Sequence, residues 1–272
     1  MLKITPRRPA SLLHSCRFFT RCLPLFLAAL LSVGSGPLHA LDKEALEAAL
    51  RGQGRDVADR IRDPARKPVE VLDFLGLEAG MTVLDLYAAG GYFTWILSKA
   101  VGPDGIVYAQ NTPRGLSFGE DRSEMTQGEA LALKIEAGNL TNVVRVDRPV
   151  ADLGLAASSL DFVLISQILH DYHNGNPERA LRMLRQVHEL LKPGGIVGII
   201  DHVGMPGLDN RRNHRMLKED AIRVSEEAGF IVEAESDLLA NPNDNYRRSI
   251  FDPMLNRSSD QFVLRLRKPA GN

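Results

Sequence analysis

Cysteine is almost missing: the 272 residues contain two, Cys16 and Cys22. Both fall in the first forty residues, so everything after them has neither a disulfide nor thiol chemistry. Acidic residues are absent from residues 1–40, which carry Lys3, Arg7, Arg8, Arg17 and Arg21. Also absent is any apolar run long enough to span a bilayer as a helix; "LPLFLAALLSV" is too short. The order of basic residues, apolar run and "SGPLHA" ending at Ala40 is that of a secretory signal. The expectation is a cleaved signal over 1–40 and a periplasmic or secreted protein that meets the membrane only during export. The alternative is an uncleaved anchor. Removing 1–40 leaves 28 Lys+Arg against 34 Asp+Glu, a net charge of −6. A mildly acidic surface gives no electrostatic case for nucleic acid or anionic membrane. P-loop, nucleophile-elbow and paired-cysteine motifs are absent as well.

What is present is α/β patterning. Residues 41–76 read as an N-terminal helical cap: Leu46 and Leu50 are four apart, as are Val57 and Ile61. "RDPARKP" is expected to break that run, with a short helix from Pro68 to a stop at Gly76. Residues 77–272 alternate strand and helix. "MTVLDLY", "GIVYAQ", "NVVRV", "LDFVLIS" and "GIVGIID" read as strands, the early ones near-continuously apolar as expected when both faces are covered. Helices are expected over about 124–137, on the stripe Leu181, Leu184, Val187 and Leu191, and on Leu217, Ala221, Val224 and Ala228. "FIVEAE" and "QFVLRLR" alternate apolar with polar, and no helical pattern separates them. They are expected to be antiparallel neighbours nearer an edge, with one face wet. The fold class is therefore a doubly wound, seven-stranded, mostly parallel α/β sheet with an antiparallel last strand. The long segment 239–260 reads as a lid or substrate-contact loop.

Ligands of such sheets bind beyond the carboxyl ends of the strands, where strand order reverses. The first strand ends there in "LDLYAAGGY". Gly90 and Gly91 permit close approach of backbone to a ligand, and the following helix offers free N–H groups. The three spaced glycines of a dinucleotide site are missing, and Asn111 rather than an acid ends the second strand. A nicotinamide dehydrogenase is correspondingly disfavoured.

"VLDLYAAGGYFTWILSKAVGPDGIVYAQN", "SSLDFVLISQILHDY" and "LRQVHELLKPGGIVGIID" resemble, in order and spacing, the motifs of class I S-adenosylmethionine-dependent methyltransferases. "DRIRDPARKPVEVLDFLGLEAGMTV" and "AESDLLANPNDN…FDP…DQFVLRLRKP" are similar to a group of exported bacterial predicted methyltransferases. The resemblance implies a Rossmann-like fold, S-adenosylmethionine as cofactor and a small-molecule methyl acceptor. Carried over by position, it implies cofactor contacts from Asp85, Tyr87, Ala89, Gly90 and Gly91, from Asn111 in place of the usual ribose-binding acid, and from Asp152 near the adenine, or Asp147 if the alignment slips. Tyr87 and Ala89 stand where the family has glycine.

Methyl transfer needs an in-line nucleophile, with a base when the acceptor is a hydroxyl. "HDYHN" follows the fourth strand. His170 is the candidate base, Asp171 its orienter and Tyr172 a substrate wall; the alternative is a helix-capping turn. With His173, Asp201 and His202 the same residues suggest a metal site, but their spacing matches no metal motif and no metal is expected. "RRNHR", 211–215, reads as a solvated helix start or an anion-receiving patch. The rival to an enzyme is a non-catalytic periplasmic binding protein on a degenerate fold of the same kind.

Overall fold

The structure is a computed structural model. It describes residues 39–52, 55–120, 123–255 and 257–271, so the expected signal segment, apart from His39 and Ala40, lies outside the described residues. His39–Ala40 pairs antiparallel with Glu78–Ala79.

Seven strands form one sheet: β1 (Thr82–Leu86), β2 (Ile106–Gln110), β3 (Val143–Val146), β4 (Leu160–Ser166), β5 (Leu191–His202), β6 (Ile231–Ser236) and β7 (Gln261–Arg267). Their order is β3-β2-β1-β4-β5-β7-β6. β1 to β5 are parallel, and β7 runs antiparallel to both β5 and β6. Strand order reverses between β1 and β4, which places the ligand crevice beyond Leu86 and Ser166.

Period-two alternation sends neighbouring residues to opposite faces. Leu84, Leu86, Val163 and Ile165 pack with α7 (Pro177–Leu190) and α8 (Lys218–Glu227) through Leu181, Leu184, Val187, Ala221 and Val224. Val83, Phe162 and Leu164 pack on the other face with α1 (Lys43–Arg51), α3 (Pro68–Leu75) and α4 (Tyr92–Val101). Each such side chain contributes about 1.5–3 kcal/mol when fully buried, so the two apolar faces fix which helices cover the sheet. α5 (Gln127–Ala137) opens with a capping box between Thr126 and Glu129.

Three details differ from the sequence expectation. The break falls not at "RDPARKP" as a whole but at Lys67, whose φ is 40°; α2 (Val57–Arg66) continues through Pro64. Val57 and Ile61 do not face the core. They are 60% and 61% exposed, while Asp59 and Arg55 on the same segment are buried. β7 is not wet on one face either: paired on both sides, it buries Val263 as well as Phe262, Leu264 and Leu266, and of these last two strands only β6 lies at an edge, with alternating exposure.

Candidate functional site

The turn between β1 and α4 is left-handed at three positions: Tyr87 (φ 58°), Ala89 (φ 50°) and Gly91 (φ 86°). For a non-glycine residue that conformation costs about 1–2 kcal/mol, so Tyr87 and Ala89 need compensation. Two buried amides supply it. Asn111 Oδ1 accepts from Ala89 N at 3.0 Å and its Nδ2 donates to Ala89 O at 3.1 Å. Gln110 Oε1 accepts from Tyr87 N at 3.1 Å, and its Nε2 donates to the Arg148 carbonyl at 2.7 Å. At about 1 kcal/mol each, these bonds offset the strain and hold the turn in place. The phenol of Tyr87 then meets that of Tyr172 at 2.6 Å, spanning the crevice from the β1 turn to α6 (Leu169–His173).

Asp85, at the end of β1, is buried and accepts from Thr94 Oγ1 at 2.6 Å. Burial raises its carboxyl to about 6, with the Thr94 bond and the Arg66 charge working the other way. The sign follows. The folded carboxyl binds its proton more tightly than the unfolded one at 3.8, so its burial costs stability above about pH 6 and the cost vanishes as pH falls toward 3.8. A tenfold change in proton affinity is worth about 1.4 kcal/mol, which makes the neutral-pH cost roughly 3 kcal/mol. Asp85→Asn is expected to stabilise the protein at pH 7.5 and to lose most of that gain at pH 4.5. Urea denaturation at both values checks this; a pH-independent difference would refute it.

Over the turn lies a polar lid from α2. Asp59 is ion-paired with Arg62 and, at 3.1 Å, with Lys134 of α5, whose Nζ also donates to the Gly90 carbonyl at 2.8 Å. Arg55 pairs with Asp63, which accepts from the Tyr92 hydroxyl at 2.8 Å. The Glu120 carboxylate overhangs Gly90 so closely that a β-carbon there would stand 2.1 Å from its Oε2. Glu120 also lines a cavity of about 350 Å³ with Asp59, Arg62, Trp95 and Lys134.

A second cavity, of about 250 Å³, opens at the carboxyl ends of β4 and β5 and the start of β7. Its polar wall is Arg66, Gln167, His202, Ser259 and Gln261; Ile61, Ile250 and Phe251 supply the apolar side. Arg66 donates to Gln167 Oε1 at 3.2 Å and stacks on the Tyr92 ring at 4.3 Å. Burial lowers its guanidinium to about 10. His202 places Nδ1 2.7 Å from Ser259 Oγ, and its buried Nε2 has no partner. Burial lowers its pKa to about 3, so the ring is neutral and offers the cavity a hydrogen-bonding atom.

The predicted cluster after β4 divides. His170 Nδ1 lies 2.7 Å from Asp201 Oδ1, so its orienting carboxylate is Asp201; Asp171 is 3.4 Å from the other ring nitrogen. Burial disfavours the charged ring, but Asp201 outweighs it and raises the pKa of His170. Asp171 accepts instead from His214 Nδ1 at 3.0 Å. His173 buries both ring nitrogens without a partner. Asp152 is exposed and paired with Arg148, and Asp147 with Arg145. His170 is not among the residues lining the second cavity. Glu120 carries no motif signal in the sequence, whereas Arg66, Gln167 and His214 fall inside "RDPARKP", "SSLDFVLISQILHDY" and "RRNHR" without a role of their own there; in three dimensions Gln167 is marked by a φ of 59° just past β4.

No family model matches the chain. A demethylmenaquinone methyltransferase of Geobacillus stearothermophilus is 30% identical over 127 residues, which is 47% of this chain and 47% of that protein, so the match spans about half of either. Among solved structures, a SAM-dependent methyltransferase from Aquifex aeolicus aligns with a TM-score of 0.56 and 19% identity over 83% of this chain and 98% of that one. The [4+2]-cyclase SpnF aligns at 0.54 and 16% over 86% and 98%. A cyclase among the neighbours shows that the architecture alone does not set the reaction. Strand order and these likenesses together establish that the chain has the class I methyltransferase fold and is similar to S-adenosylmethionine-dependent methyltransferases.

Proposed function

We propose that this chain transfers a methyl group from S-adenosylmethionine to a small-molecule acceptor, as an exported protein once residues 1–40 are removed. The observation that carries the reading is the braced left-handed turn at the switch point. Three positive φ angles there put the Gly90 backbone where a side chain has no room, the arrangement a cofactor needs for close approach.

The residues fit the group. Bound S-adenosylmethionine supplies a methyl on a cationic sulfonium. Asp85 and Glu120 surround the turn with carboxylate, which suits a cation, and Glu120 touches Gly90 only through the far end of a flexible side chain. Asn111 and Gln110 act by bracing the turn. The acceptor is assigned to the cavity at β4, β5 and β7, with its apolar body against Ile61 and Phe251. Its reacting oxygen is assigned to the polar wall of Arg66, Gln167 and His202. Fixing both partners in one crevice can supply about 7–11 kcal/mol of rate enhancement.

Titration calorimetry with S-adenosylmethionine and S-adenosylhomocysteine is expected to show one site. Gly90→Ala places a methyl in the cradle at a negative φ, which alanine tolerates. It is expected to leave the melting temperature within a few degrees of wild type and to weaken cofactor affinity by about 10–100-fold, the equivalent of about 1–3 kcal/mol of overpacking. Absence of heat with either ligand removes the reading.

A further inference from the structure

Beside the acceptor cavity, three side chains from two distant segments converge. His170 Nε2 and Asp171 Oδ1 are 3.4 Å apart, His214 Nδ1 and the same Asp171 Oδ1 are 3.0 Å apart, and the three residues each offer a ligand atom within 4.8 Å of the other two. The geometry points to a site for one divalent transition-metal ion of the zinc class, held by these three atoms.

Four considerations carry it. First, tetrahedral bonds of about 2.0–2.1 Å place neighbouring ligand atoms about 3.3 Å apart, and the two measured edges fall on either side of that value. Second, two imidazoles and one carboxylate are a donor set for zinc and its borderline neighbours rather than for calcium or magnesium. Third, His170 already has the outer support that a metal-binding histidine requires. Its Nδ1 is engaged by the buried Asp201, which directs Nε2 toward Asp171 and His214. Fourth, the segment that delivers His214 is fastened in place. Asn174 Nδ2 donates to the Arg215 carbonyl at 2.6 Å and Met216 N to the His202 carbonyl at 3.0 Å, while His214 itself sits at φ 53°, a conformation a non-glycine residue keeps only when its surroundings impose it.

The site joins α6 to residues 209–216. It also stands against the acceptor cavity: the His214 ring is 4.8 Å from Phe251, and His170 is 5.8 Å from His202. A bound ion therefore clamps the wall on which the acceptor is assigned to rest. The claim concerns the ion alone and stands whether or not the cofactor reading does.

The test uses tag-free protein stripped with chelator and titrated with cobalt(II), then zinc(II). The expected result is one equivalent of cobalt with the intense visible absorption of a tetrahedral site, displaced by zinc, and a melting temperature raised by zinc. Asp171 and His214 are partly exposed, so His214→Ala and Asp171→Asn are expected to melt like wild type in chelator. Each is expected to lose the absorption and the zinc shift, with affinity down by more than about 100-fold; Asp201→Asn is expected to lose about 10–100-fold. His202→Gln, outside the ligand set, is expected to keep the absorption. Wild-type protein that binds no cobalt, or a His214→Ala variant that binds it as tightly as wild type, overturns the site.

Discussion

Arg215→Met is expected to destabilise the protein by about 3–5 kcal/mol, because it strands a buried carboxylate. Arg215 is fully buried and pairs with Asp244 at 2.8 Å, where neither side chain has solvent access. The same guanidinium donates to the carbonyls of Val203 at 3.0 Å and Arg248 at 3.2 Å. Asp244 in turn accepts from Tyr246 N at 2.9 Å and Asp260 N at 2.7 Å. The pair thus helps to fasten the long segment 239–260, which brings Ile250, Phe251 and Ser259 to the second cavity. Urea unfolding followed by the fluorescence of Trp95, the single tryptophan of the chain, measures the loss. Limited proteolysis is expected to cut first within 239–260. A loss under about 1 kcal/mol, or cleavage elsewhere, would show that the segment is held by other contacts.

Asp201→Ala is the second large effect, again about 3–5 kcal/mol. Its carboxylate takes the backbone N–H of His170 at 2.9 Å, the backbone N–H of His202 at 2.8 Å and the His170 ring at 2.7 Å, all buried. Alanine leaves two backbone donors without partners, each worth about 1–3 kcal/mol when orphaned. Asp201→Asn keeps an acceptor and is expected to cost less than half as much. Equal losses for the two substitutions would mean that cavity formation, and not hydrogen bonding, sets the effect.

The sequence by itself determined the architecture. Near-continuous apolar runs, helical stripes and glycine stops are local signals, and the strands, most of the helices and the antiparallel final pair follow from them. It also marked the glycine turn, because Gly90 and Gly91 stand between the end of β1 at Leu86 and the start of α4 at Tyr92. Tertiary structure decided what the turn is made of and who meets whom. Asn111 stands where the resemblance implies a ribose contact, yet both ends of its amide are engaged by Ala89. α2 turns Asp59 inward and Val57 outward because the Lys134 ammonium awaits the carboxylate there, a partnership 75 residues long in sequence. His170 is oriented by a carboxylate 31 residues away, and Asp171 by a histidine 43 residues on that reads locally as part of a basic patch. The physical reason is range. Periodicity reports which face of an element is apolar, whereas the pairing of polar groups depends on which strand ends the sheet brings side by side, and no local pattern encodes that.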